Sequence, residues 1–365
     1  MKVRAPGKLI LSGEHAVVYG YPAIAMAVNR YVGVEIVPLE FANICFELAD
    51  LNMKRILSVA ELEQLNLRIR KNYRQFQCGA LGVRDVLREP AELVQFALSL
   101  LLEEYVPVLE NRFNAHNASV SAFMNGLNID ASSSISTRMD GFTIRTHSSI
   151  PMGCGMGSSA AMILSVLFAA AHYLNVSLSA ETYLRLALEA ENMQHGQSSG
   201  FDLYTIFHGG CVYRHGQEMQ IRSAPECNFY VVNTGTPQST TGECVAAASS
   251  FFKTSTMGDD FATITNAIDS LLQNKSFTAL PEMIRANHQL LTKINVVPLK
   301  VQQFIHQIEQ CGGAAKICGA GAVRGEHAGM ILVLIEDELY LKKLCENEAY
   351  SLLPIQCESR GVQVV

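Results

Sequence analysis

Three clusters of residues in this chain have the types and spacing to do chemistry. The first is Gly153-Cys154-Gly155-Met156-Gly157-Ser158-Ser159, followed by Ala160 and Ala161. Alternate glycines remove side chains where a backbone must approach a bulky group closely. Ser158 and Ser159 put hydroxyls at the start of an apolar helix pattern. The free N–H groups and the positive dipole end of that helix point the same way, an arrangement that binds phosphate. A tight turn with a helix cap would use the same residues. The run is not a Walker A loop, because no Gly-Lys-Ser/Thr closes it. It is not the dinucleotide fingerprint either, because Ser158 stands where the third glycine belongs.

The second cluster runs from Glu189 and Glu191 through His195 and Gly196 to Asp202. Both glutamates fall near the end of a helix pattern, where the dipole disfavours carboxylates. A divalent cation would offset that, or the acids could simply be solvated. Asp202 follows a flexible Ser-Ser-Gly and precedes what reads as an apolar strand, Phe207 to Tyr213. A carboxylate there could orient a hydroxyl or take its proton. The third cluster is Arg4-Ala-Pro-Gly-Lys8-Leu-Ile-Leu-Ser-Gly-Glu14-His15, running on to Gly20. Lys8 could pair with phosphate or with Asp202, and Glu14 and His15 could receive a polar substrate. The same residues could equally be surface groups.

These clusters need rigid elements around them. Val32 to Val37 alternates as a strand, and Leu9 to Leu11 precedes a turn. Residues 59–77 are polar and helix-prone. Arg88 to Tyr105 carries an apolar stripe at Leu93, Phe96, Ala97, Leu100 and Leu101, with Pro90 suited to its first turn. Residues 126–131 and 141–147 read as strands, with a turn at Met139-Asp140-Gly141. Helices are expected near 159–174 and from Ser179 to Gly196. Further strands are expected at Met219–Ile221, Phe229–Val232, 315–318, Met330–Ile335 and 361–365. Helices are expected near 243–253, 259–273, 280–293, 298–310 and 337–346. A turn-rich stretch at 222–228 marks a domain boundary, giving domains 1–223 and 224–365.

At 365 residues with 49% apolar and 17% charged content, the chain can bury a sizeable core. A net charge of −6 and the lack of a long basic run argue against a nucleic-acid surface. The longest apolar stretch, Ala160 to Leu174, is broken by Ser165 and His172, so no membrane span is expected. Gly13, Glu14 and His15 interrupt any signal-peptide core. The ten cysteines form no CxxC pair and no zinc spacing. They read as reduced thiols, mostly in the core, of a cytoplasmic protein.

Taken together, the three clusters resemble the motifs of the GHMP kinase superfamily, and within it those of the mevalonate kinase family. Ala5 to Gly20 is similar to that family's opening motif almost residue for residue. Gly153 to Ala161 resembles the superfamily's phosphate loop. Glu191 to Asp202 resembles its Glu-x-x-x-His-Gly-x-x-Ser-Gly-x-Asp segment. The resemblance is weakest between about 56 and 140.

It implies an α+β, two-domain fold: an N-terminal ribosomal-protein-S5-like domain and a C-terminal ferredoxin-like domain. It also implies ATP- and Mg²⁺-dependent phosphorylation of the mevalonate 5-hydroxyl. Asp202 matches the catalytic acid that accepts the proton, and Lys8 the lysine near the transferred phosphate. Ser159 and Glu191 match the Mg²⁺ ligands. Ser149, Gly153, Cys154, Gly155, Met156, Gly157, Ser158 and Ser159 match nucleotide contacts. Asp50 stands where the family often has an Asn that contacts nucleotide, a swap that adds negative charge. Glu14, His15 and Thr240 match positions near substrate.

The third motif, Lys316 to His327, keeps Gly319 and Gly321 but has Ala322 and Val323 in place of glycines. Positive φ would be costly at those two positions. Arg324 could supply a cation to phosphate, or sit as a solvated loop arginine. Rival readings are a phosphomevalonate kinase, a mevalonate kinase acting on a different hydroxyl, and a non-catalytic metabolite-binding regulator. Relatives are often dimeric, so a homodimer is the expected assembly.

Overall fold

The computed structural model describes residues 1–41, 43–104, 141–151 and 155–365. The expected strand at 126–131 and most of the turn at 139–141 lie outside the described residues. β1 (Lys2–Ser12) and β2 (Ala23–Pro38) form a long antiparallel pair. β3 (Ile44–Leu48) and β4 (Met53–Leu57) form a hairpin joined through a 3-10 turn at Ala49–Leu51. β5 (Phe142–Ser148) lies antiparallel to β2 and parallel to β3. β6 (Cys211–His215) pairs with β2, and β7 (Glu218–Arg222) with β6.

Helices cover this sheet. Ser58 and Glu61 form a capping box that starts α1 (Val59–Gln77). α2 spans 91–104, immediately after Pro90. Its expected stripe is buried, and so are Val94, Leu98 and Leu102. α3 (Ser158–Tyr173) is apolar nearly all round because it is packed between β1 and β2 on one side and α4 (Ala180–His195) on the other. Ser179 caps α4 by accepting from the Thr182 amide at 3.1 Å.

One expectation is corrected here. Phe207 is not in a strand: residues Phe201–His208 form a helix, α5, and the strand begins only at Cys211. Gly200, with φ 71°, opens the helix, and Phe201, Leu203, Thr205 and Ile206 are buried along it. A short apolar run carries too little periodicity to tell the two states apart. Tertiary packing supplies the stop. A Cβ on Gly209 (φ +76°) would lie 2.5 Å from the carbonyl carbon of Arg360, so the chain turns there beneath the C-terminal segment.

Beyond β7 a second, antiparallel sheet forms. It contains β8 (Phe229–Asn233), β9 (Ala314–Ile317), β10 (Met330–Leu334) and β11 (Ser351–Ile355), ordered β11-β8-β10-β9. β11 was not expected from sequence; it contains Pro354 and is an edge strand, where proline is tolerated. Its helices are α6 (Thr241–Thr254), α7 (Met257–Asn274), α8 (Leu280–Lys293), α9 (Leu299–Gln310) and α10 (Glu338–Asn347). β12 (Gln363–Val364) then returns to pair with β1. No described helix is long and apolar enough to cross a membrane. The nine described cysteines are free.

The two sheets are joined through buried polar contacts. Asn287 of α8 donates to Ser12 Oγ at 2.8 Å, and Ser12 Oγ lies 2.7 Å from Thr265 Oγ1 of α7. Next to Asn287, His288 is only 7% exposed. Burial, reinforced by the Lys316 charge, pushes it down from its ordinary 6.5 to about 4. Its neutral form is therefore favoured by folding. That contribution is full above about pH 6.5 and is lost as pH falls towards 4. The free energy of urea unfolding should fall less between pH 6.5 and 5 in His288→Gln than in the parent chain. Parallel pH curves would show that His288 does not contribute.

Candidate active site

Lys8 is the centre of the site. It lies on β1 and is 5% exposed. Its amide donates to Met156 O at 2.9 Å, tying the glycine loop to β1. Gly155 and Gly157 have φ of 75° and 71°. A Cβ on Gly157 would lie 2.9 Å from Lys8 Cγ and 3.0 Å from Ile206 Cδ1. Glycine is needed there both for its backbone angle and to seat the start of α3 against the lysine. Ser158 and Ser159 are the first two residues of α3, where free amides and the helix dipole favour an anion. Gly153 and Cys154 lie outside the described residues.

Asp202 sits in the first turn of α5, and its Oδ2 lies 3.0 Å from Lys8 Nζ. Glu191 is brought to the same cleft by α4 and is 3% exposed. It accepts a hydrogen bond from Ser198 Oγ. Burial first, then the Asp202 charge, push its carboxyl up to about 7. His195 Nε2 lies 3.5 Å from Ser159 Oγ, and burial pushes that imidazole down. Glu189 turns elsewhere and pairs with Arg70 at 2.8 Å. The cleft thus gathers hydroxyl and carboxylate oxygens, with Glu191 buried close enough to Asp202 to feel its charge. Ser159 Oγ and the Glu191 carboxylate are oxygen donors of the kind a hard divalent cation takes.

The opposite wall comes from the turn after β1 and from Thr241, Val245, Gly319 and Ala320 of the second half of the chain. Gly13, with φ 90°, makes a turn in which a Cβ would meet Pro22 O at 2.4 Å. The turn presents Glu14 and His15 to the cleft. His15 has a positive φ of 59°, and its Nε2 lies 3.0 Å from Ala320 O. Burial pushes its imidazole pKa down. Glu14 is buried and accepts from Lys316 Nζ. Lys316, on β9, is fully buried and also donates to Ile10 O at 3.1 Å and Ile317 O at 2.9 Å. Burial pushes Glu14 upward, and Lys316 opposes this.

Most of the expected site residues meet in one cleft of about 1030 Å³. Lys8, Glu14, His15, Asp50, Gly155, Met156, Gly157, Ser158, Ser159, Glu191, Asp202 and Gly319 line it. Three are placed otherwise. Ser149 Oγ bonds the backbone of Tyr31, and Ser148 lines the cleft instead. Thr240 caps α6 in a reciprocal box with Glu243, and Thr241 faces the cleft. Gly321 packs against Val296, where a Cβ would lie 2.1 Å from the carbonyl oxygen. Arg324 pairs with Glu243. Positive φ in the third motif falls on Gly319, Gly321 and Gly325, not on Ala322 or Val323, so the two substitutions carry no backbone strain.

Sequence reasoning missed Lys316, Ser198, Arg84 and Arg88. The last two line the cleft from the segment after α1. Nothing local marks them. Lys316 matters through a partner 302 residues away, and the arginines lie in the stretch where no motif was legible.

Residues 119–210 match the GHMP kinases N terminal domain. The chain is 26% identical over 344 residues to a mevalonate kinase of Methanocaldococcus jannaschii, covering 93% of each protein. It is 26% identical to the mevalonate kinase of Pyrococcus abyssi, covering 87% of this chain and 84% of that one. The crystal structure of the Methanococcus jannaschii mevalonate kinase superposes with a TM-score of 0.75 at 24% identity, covering 98% of each chain. The α+β architecture expected from sequence is therefore that of known GHMP kinase structures. The chain is thus an ATP-dependent kinase of small molecules, similar over most of its length to mevalonate kinases and matching the GHMP kinases N terminal domain over residues 119–210.

Proposed function

We propose that the chain transfers the γ-phosphoryl group of ATP to the 5-hydroxyl of mevalonate. The observation that carries this reading is the Lys8–Asp202 pair, 3.0 Å apart, facing the start of α3 in one cleft. The cleft lies between residues 1–223, taken as the nucleotide-binding domain, and 224–365, which contribute Thr241, Gly319 and Ala320. Phosphoryl transfer depends mainly on positioning and charge neutralisation. The amides at the start of α3 hold the phosphates. Asp202 accepts a hydrogen bond from the attacking hydroxyl and orients its oxygen in line with the γ-phosphorus. As that oxygen bonds to phosphorus, the bond to ADP breaks, and the hydroxyl proton passes late to Asp202. Lys8 holds Asp202 in place and offers its charge to the equatorial phosphoryl oxygens.

Ser159 and Glu191 would hold Mg²⁺, which when bound neutralises phosphate charge. Replacing Glu191 by Gln removes that charge but keeps the acceptor oxygen. The Mg²⁺ concentration for half-maximal rate should rise several-fold, and an unchanged titration would count against this ligand. The reading itself is tested by an acceptor screen with ATP and Mg²⁺, locating the phosphorylated position of each product. ADP formation that depends on mevalonate and yields the 5-phosphate supports it. Turnover only with phosphomevalonate, or none with any acceptor, rejects it.

A further inference from the structure

One part of the cleft wall suits a flat, largely apolar group with polar edges. Leu48, Leu51, Leu93 and Val94 supply aliphatic surface there. Leu48 on β3 pairs in register with Thr146 on β5, and Asp50 follows two residues later in the 3-10 turn. Thr146 Oγ1 and Asp50 Oδ2 are both buried, and neither finds a hydrogen-bond partner among the described residues. Both residues line the cleft. Buried polar atoms are normally satisfied, so these two call for a ligand that brings hydrogen bonds. A nucleotide with its phosphates at the start of α3 has a base to place against them.

The chemistry of Asp50 narrows the choice of base. A carboxylate only accepts hydrogen bonds, whereas an amide both donates and accepts. On each polar edge of adenine the amino group stands beside a ring nitrogen that is itself an acceptor. A carboxylate can bond the amino group there, but its second oxygen then faces a lone pair. Guanine offers N1–H and the 2-amino group side by side, two donors that fit the two oxygens of one carboxylate. Arg84 and Arg88 lie exposed on the rim of the same cleft and can donate to the keto oxygen.

We propose that Asp50 is a specificity-determining residue that opens the phosphoryl-donor site to guanine nucleotides, so that GTP serves at least as well as ATP. The inference rests on the phosphoryl-transfer reading and changes only the leaving group. The γ-phosphorus bond to GDP breaks, the bond to the acceptor hydroxyl forms, and the hydroxyl proton passes to Asp202.

The test uses the full chain with mevalonate and Mg²⁺ and measures kcat/KM for ATP, GTP and ITP. GTP should match or exceed ATP. ITP keeps N1–H but lacks the 2-amino group, and should fall below GTP. Asp50→Asn should lower the GTP-to-ATP ratio by about tenfold to a hundredfold, the range for one bidentate base contact. The change should appear in KM for the nucleotide, with kcat largely kept. GTP less efficient than ATP in the parent chain, or a ratio that Asp50→Asn leaves unmoved, overturns the proposal. If no nucleotide supports turnover, the phosphoryl-transfer reading falls, and calorimetry with GDP and ADP still decides this one. GDP bound more tightly than ADP, with the order reversed in Asp50→Asn, sustains it; the opposite result overturns it.

Discussion

Asp202→Ala is expected to lower kcat by about 10²–10⁴ while leaving nucleotide binding in place, the range seen when a positioned proton acceptor is removed. The expectation rests on where the side chain sits. Asp202 lies in the first turn of α5 and reaches Lys8 across the cleft, 3.0 Å away, with its side chain 32% exposed. It is no member of the apolar core clusters, so truncation should leave the fold intact. The residues beside the phosphate cradle, Ser158 and Ser159, belong to a different helix and stay in place. The measurement is steady-state turnover alongside nucleotide affinity by calorimetry. Near-normal kcat in a purified, folded Asp202→Ala enzyme would exclude the catalytic role. Loss of nucleotide affinity with kcat preserved would assign the residue to binding instead. Asp202→Asn keeps the size and one acceptor oxygen. It should also be impaired, because an amide cannot take the proton late in the step.

Lys316→Met carries the second large expected effect, and its target is the fold itself. Lys316 is fully buried, and its partner Glu14 is 1% exposed. The methionine would fill similar volume but leave the Glu14 carboxylate, and the carbonyls of Ile10 and Ile317, without their donor. Breaking a buried ion pair from one side costs about 3–5 kcal/mol, because the remaining charge is stranded. Replacing both partners at once is far milder, since no charge is left behind. Urea unfolding should therefore show a large loss for Lys316→Met and a partial recovery in Lys316→Met with Glu14→Gln. Equal losses in the single and double variants would mean that the pair itself contributes little. The double variant should still be catalytically weak, because Glu14 and His15 form one turn on the cleft wall and the lysine anchors it.

The three motifs could be read before any coordinates because each is local. Close approach demands glycine, a helix start demands a capping hydroxyl, and phosphate demands both together. The same locality makes Ser179 visible as a cap, and the long amphipathic patterns of α7, α8 and α9 visible as helices. Legibility failed where local preference was weak or overruled. Phe201–His208 is too short for its period to show, and its helical state is set by Gly200 and by the C-terminal segment packed on Gly209. β11 contains a proline, tolerated there because the strand lies at the sheet edge.

Residue type and short spacing made a phosphate cradle, an acid and a lysine candidates, and the resemblance of the three motifs to a known family gave them their expected roles. Their assembly was beyond the sequence. Lys8 meets Asp202 because β1 packs against α5, and Lys316 of β9 reaches Ile10 O and the Glu14 carboxylate just past the end of β1, bringing together side chains separated by most of the chain. Burial then alters those groups, raising the Glu191 carboxyl to about 7 and depressing His288 to about 4. Desolvation and through-space charge depend on distance in the folded molecule, and no pattern along the chain records them.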